Sequence, residues 1–92
     1  MEQADILIVD DNPEIREIIQ ILLSGEGYHV HEAANGQQAL TLLKQMPFDL
    51  IILDIMMPGM NGYQTCLEMR KISNAPILFL SARTQESDKT LG

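Results

Sequence analysis

Two hydrophobic periodicities alternate along the chain. Residues 6–9, Ile-Leu-Ile-Val, make a short, wholly apolar and largely β-branched run, the pattern of a strand covered on both faces. It stops at Asp10-Asp11-Asn12-Pro13. Asn12 suits a helix N-cap and Pro13 the first helical position, and Ile15, Ile18, Ile19, Leu22 and Leu23 then recur at helical spacing until Gly25 and Gly27. Residues 28–33 read as a weaker strand, in which His29, His31 and Glu32 point to partial exposure near a sheet edge. Asn35-Gly36 opens a helix carrying Ala39, Leu40, Leu42 and Leu43, which ends before Pro47. Residues 50–53, Leu-Ile-Ile-Leu, repeat the buried-strand pattern and end at Asp54. A loop over 55–61 leads to a helix from about 62 to 72, and residues 76–80 form a fourth strand ending at Ser81. Residues 85–91 have the pattern of the first turns of another helix. Buried strands joined by helices predict an α/β fold: a doubly wound parallel sheet with right-handed crossovers and helices on both faces. No repeat or linker-like stretch interrupts it, so residues 1–92 are read as one domain.

Composition narrows the partners. With 6 basic and 13 acidic side chains the formal charge is −7, which makes the segment a poor ligand for nucleic acid or anionic membranes and an attractor of cations. At 92 residues the chain buries only about 60–65% of its unfolded surface, so little of its core is dispensable. Cys66 stands alone, which excludes an internal disulfide and a cysteine-based zinc cluster. No leader-like segment and no apolar run near the roughly 20 residues of a membrane span is present, and a reducing cytoplasm is the expected setting.

In open parallel sheets ligands bind outside the carboxyl ends of the strands. There the first strand delivers Asp10 and Asp11, the third Asp54, and the fourth Ser81. Crowded carboxylates raise one another's pKa unless a cation neutralises them, so the pattern implies a metal. A hard-oxygen donor set without His or Cys favours Mg²⁺, or Mn²⁺, over Zn²⁺. A carboxylate beside such an ion can act as a nucleophile toward a phosphoryl group. Asp54, delivered singly by the central strand, is the better candidate, while the Asp10–Asp11 pair suits metal and water. The Ser81 hydroxyl and the backbone N–H groups of residues 55–57 are candidate donors to the phosphoryl oxygens. None of Lys44, Lys71 and Lys89 follows a strand end.

Leu-Ile-Val-Asp-Asp-Asn (7–12), Leu-Asp-Ile-Met-Met-Pro-Gly-Met-Asn-Gly (53–62) and Leu-Ser-Ala-Arg (80–83) together resemble the receiver domain of bacterial two-component response regulators, across essentially the whole chain. The resemblance implies a flavodoxin-like fold, Asp54 as phospho-acceptor, and a sensor histidine kinase as donor. It further implies Mg²⁺ held by Asp11 directly, by Asp10 largely through water, by Asp54, and by the backbone carbonyl of Met56. Ser81 would be the switch hydroxyl that follows the phosphoryl group. Pro58 and Gly62 would shape the loop after the acceptor, and Met56 and Arg83 would tune phosphoryl lifetime. The domain would accept a phosphoryl group without acting on any external metabolite. Family receivers continue into a fifth strand bearing a lysine and a switch aromatic, then a fifth helix. Residues 87–92 resemble the segment leading into that part in winged-helix (OmpR-like) transcriptional regulators, so the chain is expected to be a receiver incomplete at its C-terminus.

Blander readings exist for several of these residues. Strand-end aspartates often merely cap helices, but a trio accompanied by Pro58, Gly62 and Ser81 is hard to explain so. His29 and His31 read as surface strand residues, and Cys66 as a small core hydrophobe. The alternative function is a truncated or pseudo-receiver interaction module that keeps the fold without switching, and the absent lysine is what separates the two. A flavin-binding domain shares the architecture but needs a phosphate-cradling loop where Asp10 and Asp11 stand. An apolar edge at the fourth strand also leads us to expect self-association, through exchanged elements or edge pairing.

Overall fold

The computed structural model describes residues 4–54 and 62–80. Its elements run β1 (Asp5–Val9), α1 (Pro13–Gly25), β2 (His29–Ala33), α2 (Gly36–Gln45), β3 (Leu50–Asp54), α3 (Gly62–Arg70) and β4 (Ile77–Leu80). All pairings are parallel, in the order β2-β1-β3-β4. The doubly wound, flavodoxin-like arrangement expected from the sequence is therefore what forms. The expected helix over residues 85–91 lies outside the described residues.

Helices α1 and α2 start where their polar caps dictate. Asn12 is extended (φ −92°, ψ 112°) and its side-chain oxygen accepts from the N–H groups of Glu14 (2.8 Å) and Ile15 (3.4 Å), with Pro13 at the first helical position. Asn35 caps α2 by accepting from Gln38 N–H at 2.8 Å, and the Gln38 side chain reaches back to accept from Ala34 N–H at 2.8 Å. Helix α1 closes one residue beyond expectation: Gly25 is still helical, and Gly27 adopts the left-handed conformation, φ 96°, that turns the chain toward β2. Helix α3 ends at Arg70, two residues before the predicted limit. The Arg70 guanidinium donates to the carbonyls of Ser73 (3.2 Å) and Ala75 (2.6 Å), which folds the chain back into the β4 approach.

The two central strands are buried on both faces, as their apolar runs require. Leu7, Val9, Ile51 and Leu53 face one side and pack with Ala39 and Leu43 of α2, Met69 of α3, and Phe48. Ile6, Ile8 and Ile52 face the other, against Ile19 and Leu23 of α1. The outer strands differ. On β2 only Ala33 is buried, in keeping with an edge, and on β4 Leu78 and Phe79 are exposed (55% and 40%) although the run is wholly apolar. The apolar stripe of α1 is also wider than the face it buries, since Ile18 and Leu22 stay more than half exposed. Cys66 packs at the margin of the α2–α3 core, as a small hydrophobe does.

Leu53 is fully buried between β1, β4 and the helices. Truncation in Leu53→Ala is expected to cost about 2–5 kcal/mol in urea unfolding, whereas Leu78→Ala, at an exposed position, should cost well under half of that. Equal losses would show that the core is not where the burial pattern puts it.

Candidate metal and phosphoryl site

Strand β1 leads through α1 to β2 on one side of the sheet, and β3 leads through α3 to β4 on the other. The connections therefore diverge between two adjacent strands, and a crevice opens at their carboxyl ends. The register Val9↔Leu53 puts the next residues of both strands, Asp10 and Asp54, at that crevice. Asp54 is the last residue of β3 and pairs in register with Leu80. One ligand oxygen from each of Asp10, Asp11 and Asp54 falls within 4.8 Å of the others, the only such acidic, His or Cys group among the described residues. The cleft they border encloses about 350 Å³ and is lined also by Asn12, Ile15, Ile19 and Leu80.

The three carboxylates have different surroundings. Asp10 is only 4% exposed, Asp54 is half-buried, and Asp11 is exposed. Burial pushes the Asp10 pKa above its ordinary 3.8, and the charges of Asp54 and Asp11 push the same way. The Asn12 N–H, which donates to Asp10 Oδ1 at 2.9 Å, and the Arg16 guanidinium oppose that rise. Arg16 also donates to the Asp10 carbonyl (2.6 Å) and to Glu32 Oε1 (3.1 Å), so it ties the end of β1 to α1 and β2. The Asp10 N–H donates to Ala33 carbonyl at 3.1 Å, which completes the support of the turn. A buried carboxylate under like-charge pressure, flanked by two more hard-oxygen donors, fits a hard divalent cation such as Mg²⁺.

Asp10, Asp11 and Asp54, named from segments far apart in sequence, are thus brought together. Ser81, Met56, Pro58 and Arg83 lie outside the described residues. Lys71 reaches Glu68 at 3.6 Å and Lys44 borders a different hollow between the α2–β3 and α3–β4 turns, so neither lines the acidic cleft. Sequence reasoning missed Arg16 and Glu32. Their signal was weak, because a helical Arg at the first turn of an acidic-end helix looks like ordinary surface charge until β2 brings Glu32 across.

A parallel doubly wound domain with a carboxylate cluster at its switch point belongs to the α/β class that can hold a divalent cation at its strand ends. Residues 6–91 match the response regulator receiver domain family, and the chain belongs to that family. The transcriptional regulatory protein YvrH of Bacillus subtilis is 45% identical over 93 residues, covering 100% of this chain and 39% of that protein. The response regulator TrrA of Thermotoga maritima, solved in complex with Mg²⁺ and BeF, is 30% identical with a TM-score of 0.74, covering 97% of this chain and 96% of that one. A chain from the complex of histidine kinase ThkA with TrrA is 43% identical with a TM-score of 0.79, covering 87% of this chain and 70% of that one. Receiver domains are signalling modules that bind Mg²⁺ at an acidic pocket and partner with histidine kinases. The chain spans under two fifths of the length of the curated regulators it matches, for example 39% of YvrH and 38% of the DNA-binding response regulator MtrA of Mycolicibacterium smegmatis. Among the described residues no helix is long and apolar enough to cross a membrane.

Because the folded state raises the Asp10 pKa, Asp10 binds its proton more tightly folded than unfolded. Its contribution to stability is present below the ordinary aspartate pKa and lost as pH rises through the folded value. Without divalent cations, Asp10→Asn should therefore be more stable than the parent at neutral pH, with the difference shrinking in acid. Urea midpoints at both pH values measure this, and a destabilised Asn variant at neutral pH would refute the assigned cause.

Proposed function

We propose that the chain is the phospho-acceptor domain of a two-component transcriptional regulator, taking a phosphoryl group on Asp54 from a sensor histidine kinase with Mg²⁺ bound at Asp10, Asp11 and Asp54. The observation that carries this reading is the meeting of three carboxylates from two adjacent parallel strands in one cleft. When bound, Mg²⁺ would neutralise charge on the phosphoryl oxygens and on the carboxylates around them. An Asp54 carboxylate oxygen forms the new P–O bond as the P–N bond to the kinase histidine breaks, and the imidazole leaves with that electron pair. Asp10 and Asp11 hold the cation and its waters, and Arg16, through the Asp10 carbonyl, keeps the β1 turn in place. In this reading Met56 adds its carbonyl to the metal and the Ser81 hydroxyl binds the phosphoryl group and moves with it. The whole protein is a cytoplasmic regulator whose output is DNA binding elsewhere in the chain, as the matched transcriptional regulators suggest.

Incubation with a small phosphodonor and Mg²⁺ should give a single phosphoryl adduct by mass spectrometry, absent in Asp54→Asn and absent without the metal. Among the described residues no lysine lines the cleft, and with that lining the adduct should form slowly and incompletely. An adduct that persists in Asp54→Asn would overturn the acceptor assignment. Complete absence of an adduct, alongside Mg²⁺ binding, would favour the interaction-module reading, in which the fold is kept but phosphorylation does not operate.

Self-association also belongs to this reading. Leu78, Phe79 and Tyr63 are exposed along β4 and the adjoining turn of α3, with the Tyr63 and Phe79 rings 6.0 Å apart. Among the described residues β4 pairs with β3 alone, and an apolar edge strand favours pairing with a second copy. Light scattering at tens of micromolar should give a mass near twice the chain's 10.3 kDa, and a clean monomer would remove the claim.

A further inference from the structure

The amino ends of β1 and β2 gather a second set of ligand-bearing side chains, at the opposite end of the sheet from the acidic trio. Parallel pairing sets Asp5 beside His29 and Leu7 beside His31, so Asp5, His29 and His31 share one face of the sheet. Asp5 Oδ1 lies 3.6 Å from His29 Nδ1 and 3.4 Å from His31 Nε2. Ligand atoms around a tetrahedral zinc ion, each about 2.0–2.1 Å from the metal, sit about 3.3–3.4 Å from one another. Both spacings are thus within a few tenths of an ångström of what a filled site requires.

Two of the three groups are already held. The Asp5 N–H donates to Asp49 Oδ2 at 2.8 Å, and the Asp5 carbonyl accepts from Asp49 N–H at 2.8 Å. The His31 ring meets Phe48 edge-on, with centroids 5.2 Å apart and planes at 81°. His29 is the adjustable member, its side chain 62% exposed. The two imidazoles flank the carboxylate rather than meeting, since the acidic trio is the one described group whose ligand atoms all lie within 4.8 Å. Alternate residues of a strand are about 6.6 Å apart, a gap that two imidazoles span when both lean toward a shared ion.

We propose that Asp5, His29 and His31 form a binding site for a divalent transition metal ion of the Zn²⁺ type, with water in the remaining position. Two imidazoles and one carboxylate suit a borderline metal, where the hard-oxygen trio suits Mg²⁺. The site is independent of the phosphoryl reading, because it lies about 16 Å away along β1 and uses none of the same residues. Its filling would clamp edge strand β2 to β1.

The chain has only two histidines, so their imidazole NMR signals report directly on the site. Zn²⁺ is titrated into the full chain with Mg²⁺ in excess, at a pH where free imidazole is neutral. Both imidazoles should shift or broaden together, with one zinc bound per chain by calorimetry, while Mg²⁺ alone leaves both signals in place. Loss of an outer partner alone costs metal sites about 10–100-fold in affinity, so loss of a ligand in His29→Gln should weaken binding by at least about tenfold. Imidazole signals unmoved by millimolar Zn²⁺, or parent affinity retained in His29→Gln, would overturn the proposal and place any zinc elsewhere. Because His29 is exposed, that variant remains informative even where His31→Gln, which loses the Phe48 contact, fails to fold.

Discussion

Everything at the acidic cleft depends on the pairing of β1 with β3. Four consecutive residues of each strand are in register, from Ile6↔Leu50 to Val9↔Leu53, and both strands are buried on both faces. A slip of one residue would exchange the two packed faces and draw a strand-end aspartate into the apolar layers, so core packing fixes the register. Asp10 and Asp54 are neighbours as a by-product. The hydrophobic effect that stabilises the sheet also forces like charges together, and the domain tolerates this because the strands end there and water or a cation can reach them.

That arrangement leaves Asp10 with opposing demands. It is almost wholly buried and under repulsion from two carboxylates, yet one of its oxygens accepts a backbone N–H and its carbonyl accepts from Arg16. The Arg16–Glu32 pair is 17% and 39% exposed at its side chains, so its charge–charge attraction is screened and modest. Its greater importance is geometric, because one guanidinium joins the end of β1, the first turns of α1 and the far strand β2. The acidic turn is therefore held by neutral backbone groups and a single cation, without any lysine nearby among the described residues.

Much of this was legible in the chain itself. The runs at 6–9 and 50–53 announced central strands because nothing polar interrupts them, and Asn12-Pro13 and Asn35-Gly36 announced helix starts because their side chains and backbone preferences do so locally. The trio of Asp10, Asp11 and Asp54 followed from placing strand ends together. Less legible were effects that arise only in three dimensions. The early end of α3 comes from Arg70 reaching two carbonyls beyond it, and the exposure of Leu78 and Phe79 depends on what lies beside β4 and not on their hydrophobicity. Asp5 was likewise invisible as a partner for His29 and His31, since only the β1–β2 register brings it between them. The roles of Met56 and Ser81 rest on the family's motifs.

Helix α1 is anchored well at its start and loosely along its length. Asn12 and Pro13 secure its first turn, but no residue of the helix is fully buried, and it meets the sheet mainly through Ile19 and Leu23. A segment with so little buried surface opens at low free energy, independently of the strands beneath it. Amide hydrogens in the latter half of α1 would then exchange with solvent far sooner than those of β1 and β3, and the cleft wall formed by Ile15 and Ile19 would breathe with that opening. The cavity beside the acidic trio is thus bounded on one side by the ends of two buried strands and on the other by a helix without a fully buried residue.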